Sequence, residues 1–400
     1  MIRILPIAVA IPFAALPVFA SFIMLMGIPV PGVSLIPPGV AIFLLVLMGC
    51  EAVYGVLLLL RVKGEKNPLV VPLLLWLGSG LLAALFGFDP RGGLLFLGIF
   101  GLGIIWHTGV ERFYDRPQVA KALLWTLVVT STIASLLAIV FVLSKHPNAL
   151  YIIAHGRAVG TFVLPGELAG YLLMLLPLGC GIAVTTQQSL LRILAWISVC
   201  VGSIAFAMTF SRTAFVAMGV ELAVAGFLLL RGRRRIAALL GLILAMGITF
   251  IVFNAHHDPS ENFTRPPIWQ AALSMIERFP LTGVGPFNFG PVYQLVRAPD
   301  ADAAAYHAHS IYLTLLAETG IVGFCAFLFV WKRFASDVYA AYIRATPRAR
   351  LLGVACIAAF AGTLSQGLID TVSIVLFGLW LPFMGLTIAM LRHGLVESVA

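Results

Sequence analysis

The residues best suited to proton transfer lie in one segment, Tyr306-His307-Ala308-His309-Ser310-Ile311-Tyr312-Leu313, which is followed by Glu318-Thr319-Gly320. His309 stands where a polar stretch meets a long apolar stretch. Imidazole titrates near neutral pH, so a histidine at such a boundary can take a proton from a hydroxyl group. The same pattern also fits histidines that merely line a boundary between water and lipid.

Three arginines predict a site for an anionic group. Arg212 lies in a very short turn, Phe210-Ser211-Arg212-Thr213, between two apolar stretches, and Arg265 opens a predicted helix. Arginine so close to lipid usually has an anionic partner, and a helix N-terminus adds positive polarity. Arg157 lies near His155 in a polar loop. Guanidinium groups pair with phosphate bidentately, so the three suit a diphosphate, although Arg157 also fits ordinary headgroup contact.

Four carboxylates fall inside apolar stretches: Glu51, Glu221, Glu318 and Asp370. Each is costly in hydrocarbon unless it is paired or hydrated. One interpretation is a proton or cation path, which is typical of a transporter. The other is that each carboxylate finds a partner within the protein. Glu318 lies nine residues beyond His309 on the same predicted helix, where it would help to orient the site.

Metal binding is weakly supported by the sequence. His256-His257-Asp258 is the best candidate, but adjacent histidines on a loop rarely chelate one ion without further ligands. The five cysteines, which lack metal-ligand spacing, fall inside apolar runs: Cys50, Cys180, Cys200, Cys325 and Cys356. We interpret them as small buried hydrophobic residues and predict no metal site.

Composition places these residues in a membrane protein. The chain is 61% hydrophobic and only 10% charged, whereas soluble domains carry about 25% charged residues. The net charge of +9 fits basic loops at a membrane surface better than nucleic-acid binding. Windows of about 20 apolar residues predict twelve spans. They cover residues 4–27, 37–60, 69–87, 92–110, 122–143, 168–186, 192–210, 213–231, 236–253, 310–331, 351–372 and 374–391.

The distribution of lysine and arginine predicts the orientation. With the N-terminus inside, seven of the 25 basic residues fall in outside loops: Arg91, Lys145, Arg157, Arg212, Arg265, Arg278 and Arg297. The rest fall inside, as the positive-inside rule requires, and both termini are then cytoplasmic.

Residues 1–400 form a single predicted transmembrane domain with two long outside loops, 144–167 and 254–309. The larger loop joins spans nine and ten and contains a predicted amphipathic helix. Thr264 caps this helix, Pro266 and Pro267 suit its first turn, and Pro280 stops it. Its apolar face carries Trp269, Leu273 and Ile276, which predicts a helix at the membrane–water boundary.

The segment from Arg157 to Val330 resembles the O-antigen ligase / O-antigen polymerase superfamily of bacterial envelope proteins. The resemblance rests on short motifs in a characteristic order, which cover under half of the chain. They are Gly160-Thr-Phe with Gly166-Glu-Leu-Ala, Ser211-Arg212, Arg265 with Trp269, Gly283-Val-Gly-Pro, His309-Ser-Ile-Tyr-Leu and Glu318-Thr-Gly.

The resemblance implies an all-α polytopic protein of the bacterial inner membrane, similar to the GT-C glycosyltransferases, with a large periplasmic loop and a periplasmic site. It implies undecaprenyl-diphosphate-linked O-antigen as donor and lipid A-core as acceptor. The family's essential histidine corresponds to His309, and its two essential arginines correspond to Arg212 and Arg265. Arg157, His307, Tyr312 and Glu318 are further candidates for substrate binding.

The expected reaction uses no cofactor, nucleotide or metal ion. The donor's diphosphate is already a good leaving group, so a cationic clamp and one general base suffice. Metal-dependent relatives, such as the oligosaccharyltransferases, carry acidic ligands in the first outside loop, and residues 28–36 contain no Asp or Glu.

Other functions remain open at this point. Within the superfamily, the chain could be an O-antigen polymerase or a protein O-oligosaccharyltransferase. Outside it, the carboxylates in apolar stretches favour an ion-coupled transporter or a lipid flippase. Against transport, the charged residues concentrate at the predicted outer surface rather than at the midplane, and the sequence shows no inverted repeat.

Overall fold

The computed structural model describes residues 4–14, 38–61, 67–146, 148–162, 164–254, 264–299, 301–303, 305–370 and 380–396, and these contain helices and no strand. The helices before the large loop are α1 Leu5–Ala14, α2 Pro38–Arg61, α3 Val70–Leu85, α4 Arg91–Phe113, α5 Pro117–Ser144, α6 Asn148–Ile153, α7 Pro165–Thr185, α8 Ser189–Ala207, α9 Arg212–Leu229 and α10 Arg233–Asn254. The remainder are α11 Arg265–Arg278, α12 Phe289–Val296, α13 Ile311–Arg344, α14 Pro347–Gln366 and α15 Trp380–His393.

The predicted all-α membrane architecture is confirmed. Seven of the described helices are long and apolar enough to cross a bilayer: α4, α5, α7, α8, α9, α13 and α14. Most predicted spans match a helix to within a few residues, whereas the count of twelve stays a prediction. The helix that contains the predicted span 310–331 is longer than that span, because α13 continues to Arg344 through a stretch that carries an Arg333–Asp337 ion pair one turn apart.

Local signals explain where several helices begin. Pro117, Pro165 and Pro347 occupy first-turn positions, where the missing amide hydrogen costs nothing. Ser310 caps α13 by accepting a hydrogen bond from the Leu313 amide, and Thr346 caps α14 in the same way through Ala349. These caps place the start of α13 directly after His309.

The helices pack in two groups that meet at α14 and α15. One group contains α5, α7, α8, α9 and α14, and the other contains α2, α3, α4, α13 and α15. Gly385 of α15 lies so close to the His107 carbonyl of α4 that a methyl group there would come within 2.5 Å of its oxygen. Small residues permit such close helix contacts where lipid supplies no hydrophobic driving force.

A buried polar network fastens α15 at one end of the bundle. His107 is fully buried on α4, and its Nδ1 lies 3.1 Å from the Leu381 carbonyl oxygen. Its Nε2 lies 3.0 Å from the amide nitrogen of Asn67, which also donates to Glu111. Arg392 donates to Glu111 over 2.6 Å. Each buried polar group thus has a partner from another helix, as a low-dielectric interior requires.

Neighbouring helices alternate in direction, so the candidate site residues lie at the end of the bundle opposite the His107 network. Short turns join α7 to α8, α8 to α9 and α13 to α14, so neighbouring helices run antiparallel. The starts of α7, α9 and α13 and the end of α14 therefore share one end of the bundle. Direct contacts between these ends, described next, bear this out.

Candidate active site

His309 sits in a strained turn at the start of α13. Its backbone φ is 47°, in the left-handed region that residues with a side chain seldom adopt. The His309 amide donates to Nδ1 of His307 over 3.0 Å, and the two rings pack edge to face with centroids 4.4 Å apart. The turn is also tied to α14, because the Ile311 amide donates to the Gly367 carbonyl over 2.8 Å. The imidazole of His309 is therefore held at a defined position.

Asp370 is the acidic partner of His309. Its Oδ1 lies 3.6 Å from Nδ1 of His309, and the side chains of His309 and Asp370 are only 28% and 20% exposed. Thr213 on α9 donates to Asp370 Oδ2 over 3.4 Å. A methyl group at Gly166 would come within 2.9 Å of the same oxygen, so α7 also packs against this carboxylate. Asp370 thus joins the ends of α7, α9, α13 and α14.

The charge state of Asp370 is set by two opposing effects. Burial favours the neutral acid, but the imidazole of His309 and the positive charge of Arg265 lower the pKa of Asp370 below its ordinary value. Asp370 lies beyond the end of α14, outside the candidate spans. Its carboxylate is consequently ionised at neutral pH and can balance positive charge on His309.

His307 supports the site in its neutral form. It is 3% exposed, and burial lowers its pKa well below the ordinary value. The neighbouring side chains of His309 and Arg265 add to this decrease in the pKa of His307, while Asp370 opposes it. Tyr306 packs edge to face on the His307 ring with centroids 4.2 Å apart, and burial raises the pKa of its hydroxyl well above the ordinary value. A neutral His307 can accept the hydrogen bond that fixes the turn.

Arg265 is the first residue of α11, as predicted. Its positive charge lowers the pKa of both Asp370 and His307. The helix packs against α12 and α13 through one buried face: Ile268, Ala271, Ala272 and Met275. On the predicted apolar face, Leu273 is 50% exposed, whereas Trp269 and Ile276 are partly buried. The contact of this face with the membrane stays a prediction. The proline positions are as predicted, whereas Thr264 makes no side-chain capping bond.

Arg212 begins α9 directly after the turn that contains Phe210, whose φ is 47°. It is half-buried, and the next residue, Thr213, reaches Asp370. The loop that carries Arg157 lies beside this turn, because the Ala158 amide donates to the Met208 carbonyl over 2.8 Å. The side chain of Arg157 donates to the Ala154 carbonyl over 3.3 Å. The structure therefore brings the two arginine-bearing turns together.

Tyr312 and Glu318 make structural contacts. The Tyr312 hydroxyl donates to the Leu364 carbonyl over 3.0 Å, which links α13 to α14. Glu318 accepts from the Phe289 amide over 3.1 Å and so caps α12, a short helix that the turn-rich sequence did not predict. Substrate binding by these two residues stays a prediction.

The helix that follows His309 is broken at Gly320, where φ is 62° and ψ is −171°. The preceding loop crosses α13 at this break. Val284 and Gly285 donate to the carbonyls of Ala317 and Glu318 over 2.8 and 2.9 Å. On the other side, Ile321 donates to the Pro280 carbonyl over 2.9 Å. The loop thus supplies the hydrogen bonds that the helix loses, and it ties α11 to α13.

The remaining carboxylates and the metal candidate lie elsewhere. Glu221 is 3% exposed on α9, its Oε1 packs against Gly362 of α14, and this oxygen has no hydrogen-bond partner among the described residues. His256-His257-Asp258 lies outside the described residues. Within them, no group of three or more His, Cys, Asp or Glu side chains is arranged to hold a metal ion.

Three residues at the candidate active site were not predicted as site residues from the sequence. Asp370 was considered only as one of four carboxylates in apolar stretches, and Thr213 was not considered. Glu167, at the start of α7, is buried and close enough to Tyr306 to help raise its pKa. Glu167 stands in the motif Gly166-Glu-Leu-Ala and Thr213 directly follows Ser211-Arg212, so position within the motifs was the available signal.

Comparison with known families covers the part of the chain that holds most of this site. Residues 193–328 match the family model described as O-antigen ligase. This match spans about a third of the chain and confirms the resemblance to the O-antigen ligase / O-antigen polymerase superfamily. Members of the superfamily are membrane glycosyltransferase-like enzymes. Among curated proteins, none matches the chain.

The matched region includes Arg212, Arg265, His307, His309, Tyr312 and Glu318. Arg157, Glu167 and Asp370 lie outside it. The matched region therefore contributes the histidine and two of the arginines, while α7 contributes Glu167 and the segment after α14 contributes Asp370.

Proposed function

We propose that this protein is an O-antigen ligase. It transfers a glycan from undecaprenyl diphosphate to a sugar hydroxyl of lipid A-core on the periplasmic face of the bacterial inner membrane. The observation that carries the proposal is the His309–Asp370 pair, which lies among helix ends that also bear Arg212 and Arg265.

In the proposed reaction, His309 is the general base. Nδ1 faces the Asp370 carboxylate, which leaves Nε2 to take the proton from the acceptor hydroxyl. The deprotonated oxygen attacks the anomeric carbon, and the bond from that carbon to the diphosphate oxygen breaks. One displacement inverts the anomeric centre. Asp370 stabilises the imidazolium that forms, as an ionised carboxylate can.

Arg212 and Arg265 bind the diphosphate of the donor. Negative charge grows on this group as it departs, and fixed guanidinium groups in a partly buried site stabilise that charge without reorganisation. Arg157, whose loop lies beside the turn that carries Arg212, is a further contact for the diphosphate in this scheme. No nucleotide or metal ion takes part in this scheme.

The test is an in vitro transfer assay. Purified protein is mixed with undecaprenyl-diphosphate glycan and rough lipopolysaccharide, in chelator and without nucleotide. We expect glycan on lipid A-core with the wild-type protein and none with His309→Ala. Wild-type transfer rates from His309→Ala would refute the general base, and activity that returns only with a divalent ion would refute the metal-free mechanism.

Two further acceptors distinguish the alternatives within the superfamily. A second donor glycan tests for an O-antigen polymerase, and a protein acceptor tests for a protein O-oligosaccharyltransferase. Lipid movement across vesicles without any transfer, unaffected by His309→Ala, would favour a transporter or flippase instead.

A further inference from the structure

A second concentration of arginine lies at the far end of α9. Four arginines occur within five residues, Arg231, Arg233, Arg234 and Arg235, where the chain turns from α9 into α10. Helix α9 has 18 residues and is about 27 Å long, close to the hydrocarbon thickness of about 30 Å. Because Arg212 stands at its other end, this cluster lies at the opposite membrane surface from the candidate active site.

The turn between the two helices is shaped to present these side chains. Gly232 has a φ of 58° and open space around it, which permits the tight reversal. Arg235 folds back, with its guanidinium 4.1 Å from the centre of the Phe227 ring and its Nε donating to the Leu230 carbonyl over 3.1 Å. Arg231, Arg233 and Arg234 remain exposed.

The three exposed arginines line a cavity with an apolar floor. The cavity is open, measures about 540 Å³, and is lined by Leu229, Leu230, Arg231, Arg233 and Arg234. Residues 222–254 contain no Asp or Glu, and no salt bridge to these arginines is present in the described part of the chain. Three uncompensated guanidinium groups around one cavity repel one another until an anion binds.

Other arginines at the same membrane surface are already engaged. Arg192 donates to the Thr186 carbonyl over 2.7 Å at the end of α7. Arg350 donates to the carbonyls of Tyr342 and Ile343 at the end of α13. These contacts stabilise helix C-termini. The three exposed arginines of the α9–α10 turn make no such contact with a helix end among the described residues, so their side chains are available to a ligand.

Beside the cavity, α10 offers a surface for an acyl chain. Its principal contact among the described helices is with α9, and Ile236, Leu240, Ile243 and Leu244 are exposed along one side. Their spacing forms a continuous apolar stripe that begins directly after the arginines. A ligand that combines a phosphate with a long apolar chain fits both features.

We propose that the α9–α10 turn binds the phosphodiester headgroup of an anionic membrane lipid, whose acyl chain lies along α10. Arg231, Arg233 and Arg234 hold the phosphate, while Leu229 and Leu230 contact the glycerol region. A free phosphate would use the arginines alone, so the apolar floor and stripe favour a lipid.

The test measures lipid binding to the purified full-length protein by native mass spectrometry. Phosphatidylglycerol is titrated against phosphatidylcholine. The wild-type protein is expected to bind phosphatidylglycerol at least about tenfold more tightly. Replacing Arg231, Arg233 and Arg234 with Gln should abolish that preference. A matched control replaces three exposed basic residues near the same surface, Lys332, Arg344 and Arg348, with Gln and should keep it.

Several outcomes overturn the proposal. These are an unchanged preference in the cluster variant, an equal loss in the control, or displacement of the lipid by soluble glycerol phosphate, which would indicate a small-anion site. If the glutamine variant does not insert into the membrane, the same three residues are replaced by Lys and phosphatidylglycerol binding is measured again. Binding several-fold weaker than wild type supports the guanidinium pocket, and wild-type binding refutes it.

Discussion

At the scale of single residues, Asp370 and His309 have separable roles. We expect Asp370→Asn to lower kcat by about 10²-fold or more, because the imidazolium loses its counter-charge while its ring stays in place. KM for the donor should change little, since the arginines are untouched. The measurement is steady-state transfer kinetics.

Thr213→Val is the matched control for that change. It removes the 3.4 Å hydrogen bond to Asp370 and the 3.3 Å hydrogen bond between the hydroxyls of Thr213 and Ser211, but it leaves the carboxylate charge. Its effect on kcat should therefore be several-fold at most. If Asp370→Asn were no worse than Thr213→Val, the proposed counter-charge role would be wrong.

His307 gives a pH dependence whose sign follows from its environment. Its pKa in the folded protein lies well below the value of about 6.5 in an unfolded chain. As pH falls below about 6.5, the unfolded chain therefore takes up a proton that the folded protein does not, and the free energy of unfolding decreases. His307→Asn retains an acceptor for the His309 amide but does not titrate.

The check is thermal unfolding in detergent between pH 7.5 and 5.5. The Tm of the wild-type protein should fall relative to that of His307→Asn as pH decreases. Parallel curves for the two proteins would show that His307 does not remain neutral in the fold.

At the scale of elements, the break in α13 depends on a single glycine. The φ and ψ of Gly320 belong to a region that essentially only glycine adopts, and a methyl group there would run into the Leu281 carbonyl. We expect Gly320→Ala to destabilise the protein by about 3 kcal/mol or more. Activity should fall as well, because the loop that ties α11 to α13 is displaced.

Gly241→Ala is the control for this prediction. Gly241 lies within α10 with nothing near the position of an added methyl group, so the change should be neutral or slightly stabilising. Thermal unfolding and transfer rates of both variants are the measurements. Equal stability of the two variants would contradict the role given to the break.

The limits of sequence prediction are also clearest at this scale. Apolar windows located most helices, because each span must satisfy lipid along its own length. They did not indicate which helix ends meet, so the pairing of His309 with Asp370 was not predicted. On α11, hydrophobicity predicted an apolar face that contains Trp269, although the face that is buried in the structure includes Ala271 and Ala272. Small residues pack closely but carry a weak apolar signal.

At the scale of the whole molecule, the proposed topology can be tested directly. In a background without its five cysteines, Lys145→Cys and Gln294→Cys mark the site end, whereas Arg234→Cys and Arg348→Cys mark the opposite end. A membrane-impermeant maleimide should label the first pair in spheroplasts and the second pair only after lysis. Labelling in the reverse order would place the candidate site in the cytoplasm.

The crossing of the 280–285 segment over α13 has a consequence for biogenesis. The ribosome makes this segment before α13, yet the carbonyls of Ala317 and Glu318 depend on it for hydrogen bonds. Unpaired carbonyls are costly in a bilayer. Helix α13 therefore cannot form its final hydrogen bonds as it leaves the translocon unless the 280–285 segment has already been translocated. Assembly of the catalytic end is thus coupled to the order of synthesis, and a delay in moving the large loop would hold α13 in an immature state.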